Sequence, residues 1–494
     1  MAAAAKEQLK KYIISIDLGT TNFKFALYDV SLNLRSIHSK AVDYLEQGCF
    51  VEFDVERYYA CIESGIRQLL SQLDVKNEKV VLICLTGQAE SLVFTDSQNK
   101  LLCNGISWKD SRSQEEAGFI SEYFGENWFA VTGLPQVSTT WPVTKLLWLK
   151  NHQSALYTSI ARIYLLKDYI IHRLTGRFVS EYSIQGFSGA MSIRGRQFWD
   201  EMMKLLGIRR DMLPEMLETG AIAGCVTKEA ARGIGLEGEV LVSIGALDHV
   251  AGMVGTGNIQ PGRITASLGT VNALAMNVTG IRDKNFGIEY HHGATPHSLI
   301  QLLVIESGGV SLQWFKDHFM PAVSFQEIDQ RISEDDATQS GLIFLPYVCG
   351  VNPPENDASA TGVFYDFDMS NNVWHFARAV FEANGFLLRK NIEYWEENIQ
   401  IISTIFAVGG AAGSPVFCQL LADITKKQLT TFSSSESVVL GAAILGAVAA
   451  GYFDSIESAV GKSVRTSKVF LPRENPYYDQ KFLRFTSLYK RLFD

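Results

Sequence analysis

One heptapeptide pattern occurs twice in this chain, and it limits the possible folds more than any other feature. Residues 16–22 read Ile-Asp-Leu-Gly-Thr-Thr-Asn, and residues 266–272 read Ala-Ser-Leu-Gly-Thr-Val-Asn. Leu, Gly, Thr and Asn recur at the same places, offset by about half of the 494 residues. Each copy lies between two strand-like runs, 12–16 and 23–28 around the first, 264–267 and 273–276 around the second. The pattern predicts two β-hairpins with Gly-Thr at their tips, and it makes the chain a duplication of two related halves. Two such halves facing each other would form a cleft with one phosphate loop on each wall. Residues 252–262 carry four glycines and a proline, the composition of a crossover or hinge. They divide an N-terminal lobe, 11–255, from a C-terminal lobe, 256–485.

Between these landmarks short β-rich runs alternate with helical patterns, which places the chain in the α/β class. Strands are expected at 12–17, 80–85, 240–244 and 404–408, and helices at 54–73, 168–174 and 376–392. Apolar residues make up 47% and charged residues 20%, as in soluble globular proteins. A formal net charge of -9 without a basic run argues against nucleic acid or an acidic membrane as the main partner. The seven cysteines, at 49, 61, 84, 103, 225, 349 and 418, are odd in number and form no CxxC, so reduced thiols in the cytoplasm are expected. The apolar piece at residues 1–5 is too short for a signal peptide. The apolar run 438–453 is rich in Gly and Ala and too short for a membrane span, so it reads as a buried helix packed closely against a neighbour.

Four segments carry candidate chemistry. In Asp17-Leu18-Gly19-Thr20-Thr21-Asn22 a tight glycine turn offers backbone N–H groups to anionic oxygens, with hydroxyls from Thr20 and Thr21. Asp17 at the strand end is placed to hold Mg²⁺. The second hairpin repeats the donors through Gly269 and Thr270 but has Ser267 in place of Asp17, so the halves are chemically unequal. Asp248 follows an apolar strand at the position where α/β proteins put active sites, and a carboxylate there can accept the proton of an attacking hydroxyl. Taken alone, a carboxylate there is more often a helix cap or a solvated residue. Gly409-Gly410-Ala411-Ala412-Gly413-Ser414-Pro415 joins a strand to a helix, with Ser414 as N-cap and Pro415 as first helical residue. Its small residues would let a flat ring approach the backbone, as for adenosine, although a plain strand-to-helix turn has the same composition. Gly233, Gly235 and Gly238 match GxGxxG but precede a strand, and no GxxxxGK[ST] occurs. His291-His292 lacks a supporting Cys or carboxylate cluster and reads as a loop pair without metal.

In their order and spacing these segments resemble the FGGY carbohydrate kinases, from about residue 12 to about residue 482. Thr86-Gly87-Gln88 is similar to the family's substrate motif, and Trp108-Lys109-Asp110-Ser111-Arg112 to its Trp-x-Asp-x-Arg element. Lys167-Asp168-Tyr169 leading to Leu174-Thr175-Gly176 resembles a recurrent helix, and Gly409 to Ala422 the adenosine motif. Ala89-Glu90 stands where many pentulose kinases of the family carry Met-His and where glycerol kinases carry Arg-Glu. Gly350-Val351-Asn352 and Ala360-Thr361-Gly362 lack the two arginines and the glutamate common in that loop, which points away from a plain xylulokinase.

The resemblance implies a duplicated actin-like, ribonuclease-H-like fold with ATP in its cleft. It implies transfer of the γ-phosphate of Mg·ATP to a hydroxyl of a small ketose or polyol, with Asp248 as base and Mg²⁺ near Asp17. Gly19, Thr20, Thr21, Asn22, Gly269 and Thr270 would meet phosphate oxygens, and Gly409, Gly410, Ala411 and Ser414 the nucleoside. Gln88, Glu90, Trp108 and Asp110 would face the sugar with Asp248. A homodimer is allowed. The alternatives are a non-catalytic ATP- or sugar-binding protein and an actin-like ATPase, both on the same fold.

Overall fold

The structure is a computed structural model that describes residues 9–74, 76–334, 340–351, 355, 357 and 359–493. Residues 1–5 and Asn352, each read above from sequence, lie outside the described residues. The chain forms two compact units. One comprises the described residues of Met1–Ile259, Tyr290–Ile300 and Glu436–Val464, the other Gln260–Glu289, Gln301–Ser435 and Arg465–Asp494.

In the first unit the hairpin Lys10–Leu18/Asn22–Asp29 is the centre of a sheet. Leu34–Ala41 adds antiparallel on one side. On the other, Glu78–Gly87 and Leu241–Leu247 add in parallel, and Ile222–Cys225 closes the edge antiparallel. The parallel strands read as near-continuous apolar runs because both faces are covered. The helix Val55–Leu70 starts at Asp54, whose carboxylate accepts the Arg57 N–H, and buries Tyr58, Ile62, Ile66 and Leu69 against the hairpin's Phe23 and Phe25.

The second unit repeats this plan. Its hairpin is Arg263–Leu268/Asn272–Val278, with Leu299–Ile305 beside it. Thr404–Val408 and Gln428–Phe432 follow in parallel, and Thr466–Phe470 closes the edge antiparallel. Strand order matches outward from the hairpin in both sheets, and so does the sense of the three strands on the parallel side, while Glu289–His292 adds a seventh strand to the second sheet, so the duplication read from seven residues extends to six strands of each sheet.

Residues 252–262 are not a hinge throughout. Gly252 and Gly255 lie buried in the helix Asp248–Gly255, and only the turn beyond it is irregular. These glycines serve packing against the helix Ser437–Ala449, the buried helix expected from the apolar run. A Cβ on Gly255 would stand 1.8 Å from the Ser437 carbonyl oxygen, and one on Gly441 1.7 Å from that of Ala251. His291 and His292 lie on the strand Glu289–His292, not in a loop, and both are buried, with His291 stacked on Phe187 at 3.5 Å between ring centroids. All seven cysteines are free. Among the described residues no helix is long and apolar enough to cross a membrane.

Candidate active site

Strand register assembles the first unit's candidates. Leu18 pairs with Gly87, and Gly87 pairs with Leu247 on the adjoining parallel strand. The C-terminal ends of three neighbouring strands therefore deliver Asp17 and Gly19, Gln88, and Asp248 side by side. Gly19 is required by crowding at the turn: a Cβ would stand 2.8 Å from the Asn22 carbonyl oxygen. Gly19 and Thr20 are half-buried, and Thr21 and Asn22 exposed, as suits groups that meet a ligand. Asp248 is the first residue of its helix, and its Oδ1 accepts the His249 N–H at 2.6 Å. The Asp17 carboxyl is pushed up to about 7, first by burial and then by the negative charge of Asp248. Its Oδ1 is buried without a hydrogen-bond partner.

The sugar-side candidates separate into two kinds. The Gln88 Nε2 is buried with its hydrogen-bonding capacity unused, while its Oε1 accepts from the Ser91 hydroxyl at 3.1 Å. Glu90 is 9% exposed and has φ +60, a left-handed backbone uncommon for this residue type, in the tight turn closed by the Ser91 N–H on the Ala89 carbonyl. The indole N–H of Trp108 donates to the Thr20 hydroxyl at 3.2 Å, so Trp108 braces the Gly19-Thr20 turn. Asp110 departs from the expected role. It is fully buried, with Oδ1 accepting from the N–H and Nε of Arg112 and Oδ2 from the Val51 N–H and the Arg112 Nη2. Four donors fill the acceptor capacity of one carboxylate, so Asp110 anchors Arg112 and the Val51 strand and has none left for a sugar hydroxyl.

Lys145 escaped the sequence reading. It is fully buried, its Nζ donates to the Thr139 and Thr140 carbonyls at 2.6 and 2.8 Å, and burial pulls it down to about 8 against the charges of Glu90 and Asp110. In sequence it is one of several polar positions in the helix Pro142–His152, and nothing there sets it apart.

In the second unit three turns meet. The hairpin tip at Gly269-Thr270 is exposed. Gly309, first residue of the helix Gly309–Phe319, packs on it so closely that a Cβ would stand 2.0 Å from the Gly269 carbonyl oxygen, and the Val310 N–H donates to the Thr270 carbonyl at 2.8 Å. Gly409, at φ +91, approaches the same hairpin, a Cβ there standing 2.7 Å from the Leu268 carbonyl oxygen. Gly410 and Ala411 continue in a short 3₁₀ turn, and Ser414 caps the next helix by accepting the Phe417 N–H at 3.0 Å. Ser307-Gly308-Gly309 was missed, although a strand, a small-residue turn and an amphipathic helix in succession signal such a site. Asp329 lies beside the Ser414 hydroxyl, its carboxyl raised by burial.

The donor set suits a hard divalent cation: Asp17 presents a buried, unpartnered carboxylate oxygen, and the Asp248 carboxylate is near enough to repel it.

Comparison with known proteins identifies the family. Residues 12–255 match the N-terminal domain, and residues 300–450 the C-terminal domain, of the FGGY family of carbohydrate kinases. Xylulose kinase of Bacillus subtilis is 28% identical over 485 residues, covering 98% of this chain and 97% of that protein. Gluconate kinase of Lactobacillus acidophilus superposes with a TM-score of 0.90 at 25% identity, over 98% of both chains. Glycerol kinase of Plasmodium falciparum, solved with ADP, superposes with a TM-score of 0.91 at 20% identity, over 99% of this chain and 100% of that one. The chain belongs to the FGGY family of carbohydrate kinases. It has the two-domain actin-like ATPase fold and is an ATP-dependent sugar kinase, a phosphotransferase with an alcohol group as acceptor.

Proposed function

We propose that this kinase phosphorylates a hydroxyl of a small ketose, with pentuloses and the related polyols as the first acceptors to test, and that Asp248 is its general base. One observation carries this reading: register aligns the ends of three strands so that Asp17, Gln88 and Asp248 adjoin, with Asp17 feeling the charge of Asp248. The acceptor proton passes to the Asp248 carboxylate as the hydroxyl oxygen attacks the γ-phosphorus and the bond to the β-phosphate oxygen breaks. Gly19, Thr20, Thr21 and Asn22 in the N-terminal lobe, 11–255, bind phosphate oxygens. Gly269 and Thr270 do the same from the C-terminal lobe, 256–485, where Gly409, Gly410, Ala411 and Ser414 meet the nucleoside. Mg²⁺ bound at Asp17 would neutralise charge on the phosphates. Gln88 and Glu90 hold sugar hydroxyls, and Trp108 acts through Thr20. The xylulose kinase relative supports a ketose, whereas Ala89-Glu90 supports a polyol-like contact.

The test is ADP release over trioses to heptuloses and their polyols, with the Asp248→Asn variant measured on the best acceptor. That variant is expected to lose about 10²-fold or more in kcat. Near-normal turnover would remove Asp248 as base, and ATP hydrolysis unaffected by every acceptor would remove the sugar-kinase reading of this site.

A further inference from the structure

We infer that Ser183 is a positioning residue that aims the Asp248 carboxylate, acting through the backbone N–H of Leu247. This inference rests on the reading of Asp248 as base. The strand Leu241–Leu247 that delivers Asp248 is irregular: its register against Glu78–Gly87 shifts between Ser243 and Ala246. Gly245 sits in that irregularity at φ +62, where a Cβ would stand 1.6 Å from the Leu85 carbonyl oxygen. Such a bulge re-aims the residues beyond it, but it also leaves the strand end with fewer ladder bonds to hold its direction. Leu247, the cap residue of the Asp248 helix, has no side-chain cap of its own.

A buried polar group makes up the deficit. The Leu247 N–H donates to the Ser183 hydroxyl oxygen at 2.9 Å. Ser183 is held in turn by Glu181, which accepts the Ser183 and Ile184 N–H groups at 2.6 and 3.1 Å. Glu181 receives the Lys167 ammonium at 3.0 Å and the Thr219 hydroxyl at 3.0 Å. Lys167 reaches back to the same strand, donating to the Ile244 carbonyl at 2.8 Å. Both ends of the four residues before Asp248 are thus tied to one ion pair. Ser183, Glu181 and Lys167 are all fully buried. An ion pair sealed from water contributes little to stability for its desolvation cost, whereas a fully satisfied buried network holds one geometry. The place where it attaches, immediately before the reacting carboxylate, gives that rigidity a use.

A double-mutant cycle tests the inference. Ser183→Ala, Asp248→Asn and the double variant are assayed by ADP release from Mg·ATP with D-xylulose, or with the fastest acceptor of the panel if D-xylulose is not turned over. Ser183→Ala is expected to lower kcat about tenfold to 10²-fold, as a misplaced reacting group does, with KM for sugar and ATP little changed. In the Asp248→Asn background the same substitution should cost nothing further, because its effect passes through that carboxylate. An equal loss in both backgrounds would mark a merely structural role and overturn the inference, as would wild-type kcat for Ser183→Ala. Near-normal turnover of Asp248→Asn alone would instead overturn the base assignment beneath it. Should Ser183→Ala fail to fold, Thr219→Val removes a bond to Glu181 at a less buried site and goes through the same cycle, where additivity again overturns the inference.

Discussion

Lys145 shows how a single buried side chain can be chosen for its charge. Its ammonium sits on two backbone carbonyls with Glu90 and Asp110 near by and Arg112 opposing. Without those acceptors burial would pull it further below its ordinary value. Because its folded pKa is about 8, below that of the unfolded chain, folding disfavours the charged form. Below pH 8 both states are protonated and the penalty is constant. As pH rises from about 8 to about 10.5 the folded state gives up its proton first, and the penalty fades. Relative to Lys145→Met, the wild type should therefore gain on the order of 2–4 kcal/mol across that window. Urea unfolding of both proteins at pH 7.5 and pH 10 measures the difference, and a constant gap would contradict it. Asp110 carries the opposite lesson. Its Trp-x-Asp-x-Arg setting suggested sugar contact, but spacing does not say how many donors a carboxylate already serves.

At the level of elements, the contact of Asp248–Gly255 with Ser437–Ala449 depends on glycines that bring two helix backbones together. Glycine within a helix weakens it by roughly 0.5–1 kcal/mol relative to alanine, so its presence here marks a gain in packing. Gly441→Ala should lower stability by about 1–3 kcal/mol or more through overpacking, since the new methyl meets the fixed Ala251 carbonyl and not a flexible side chain. Thermal melting checks this, and because the Asp248 helix must shift, kcat should fall with it. Gly461→Ala is the control: a Cβ there meets nothing within 4 Å, and its added helix propensity should leave the protein as stable or slightly more so.

For the molecule as a whole, the duplicated plan matters most where it is broken. Asp17 and Ser267 occupy matching places, one residue before the Leu-Gly-Thr of each hairpin. At this place the first hairpin carries a carboxylate, which under the proposed function holds metal, and the second carries a hydroxyl. Asp17→Asn should therefore lower kcat and raise the Mg²⁺ concentration needed for half-maximal turnover, while removing a buried charge that Asp248 repels and so keeping or raising the melting temperature. Ser267→Ala should leave the Mg²⁺ dependence in place. A Mg²⁺ titration of the three proteins decides it, and equal shifts in both variants would contradict the asymmetry.

Features that arise from chemistry over a few neighbouring residues are legible in the amino-acid order. Gly-Thr tips between apolar runs make hairpins, a small-residue turn before Ser-Pro starts a helix, and an apolar Gly/Ala run makes a buried helix, because turn geometry, capping and periodicity act over a few residues. That order also carried the duplication, since repeated hairpins imply repeated sheets. Tertiary structure alone decided what depends on partners far along the chain. Glu436–Val464 packs with the first unit because Gly441 meets Ala251, about 190 residues earlier. The donor that completes the set on Asp110, the Val51 N–H, comes from a strand 59 residues earlier. Ser183 holds Leu247 across 64 positions. None of these pairings has a period or a motif, because burial and hydrogen-bond occupancy exist only once the chain has closed on itself.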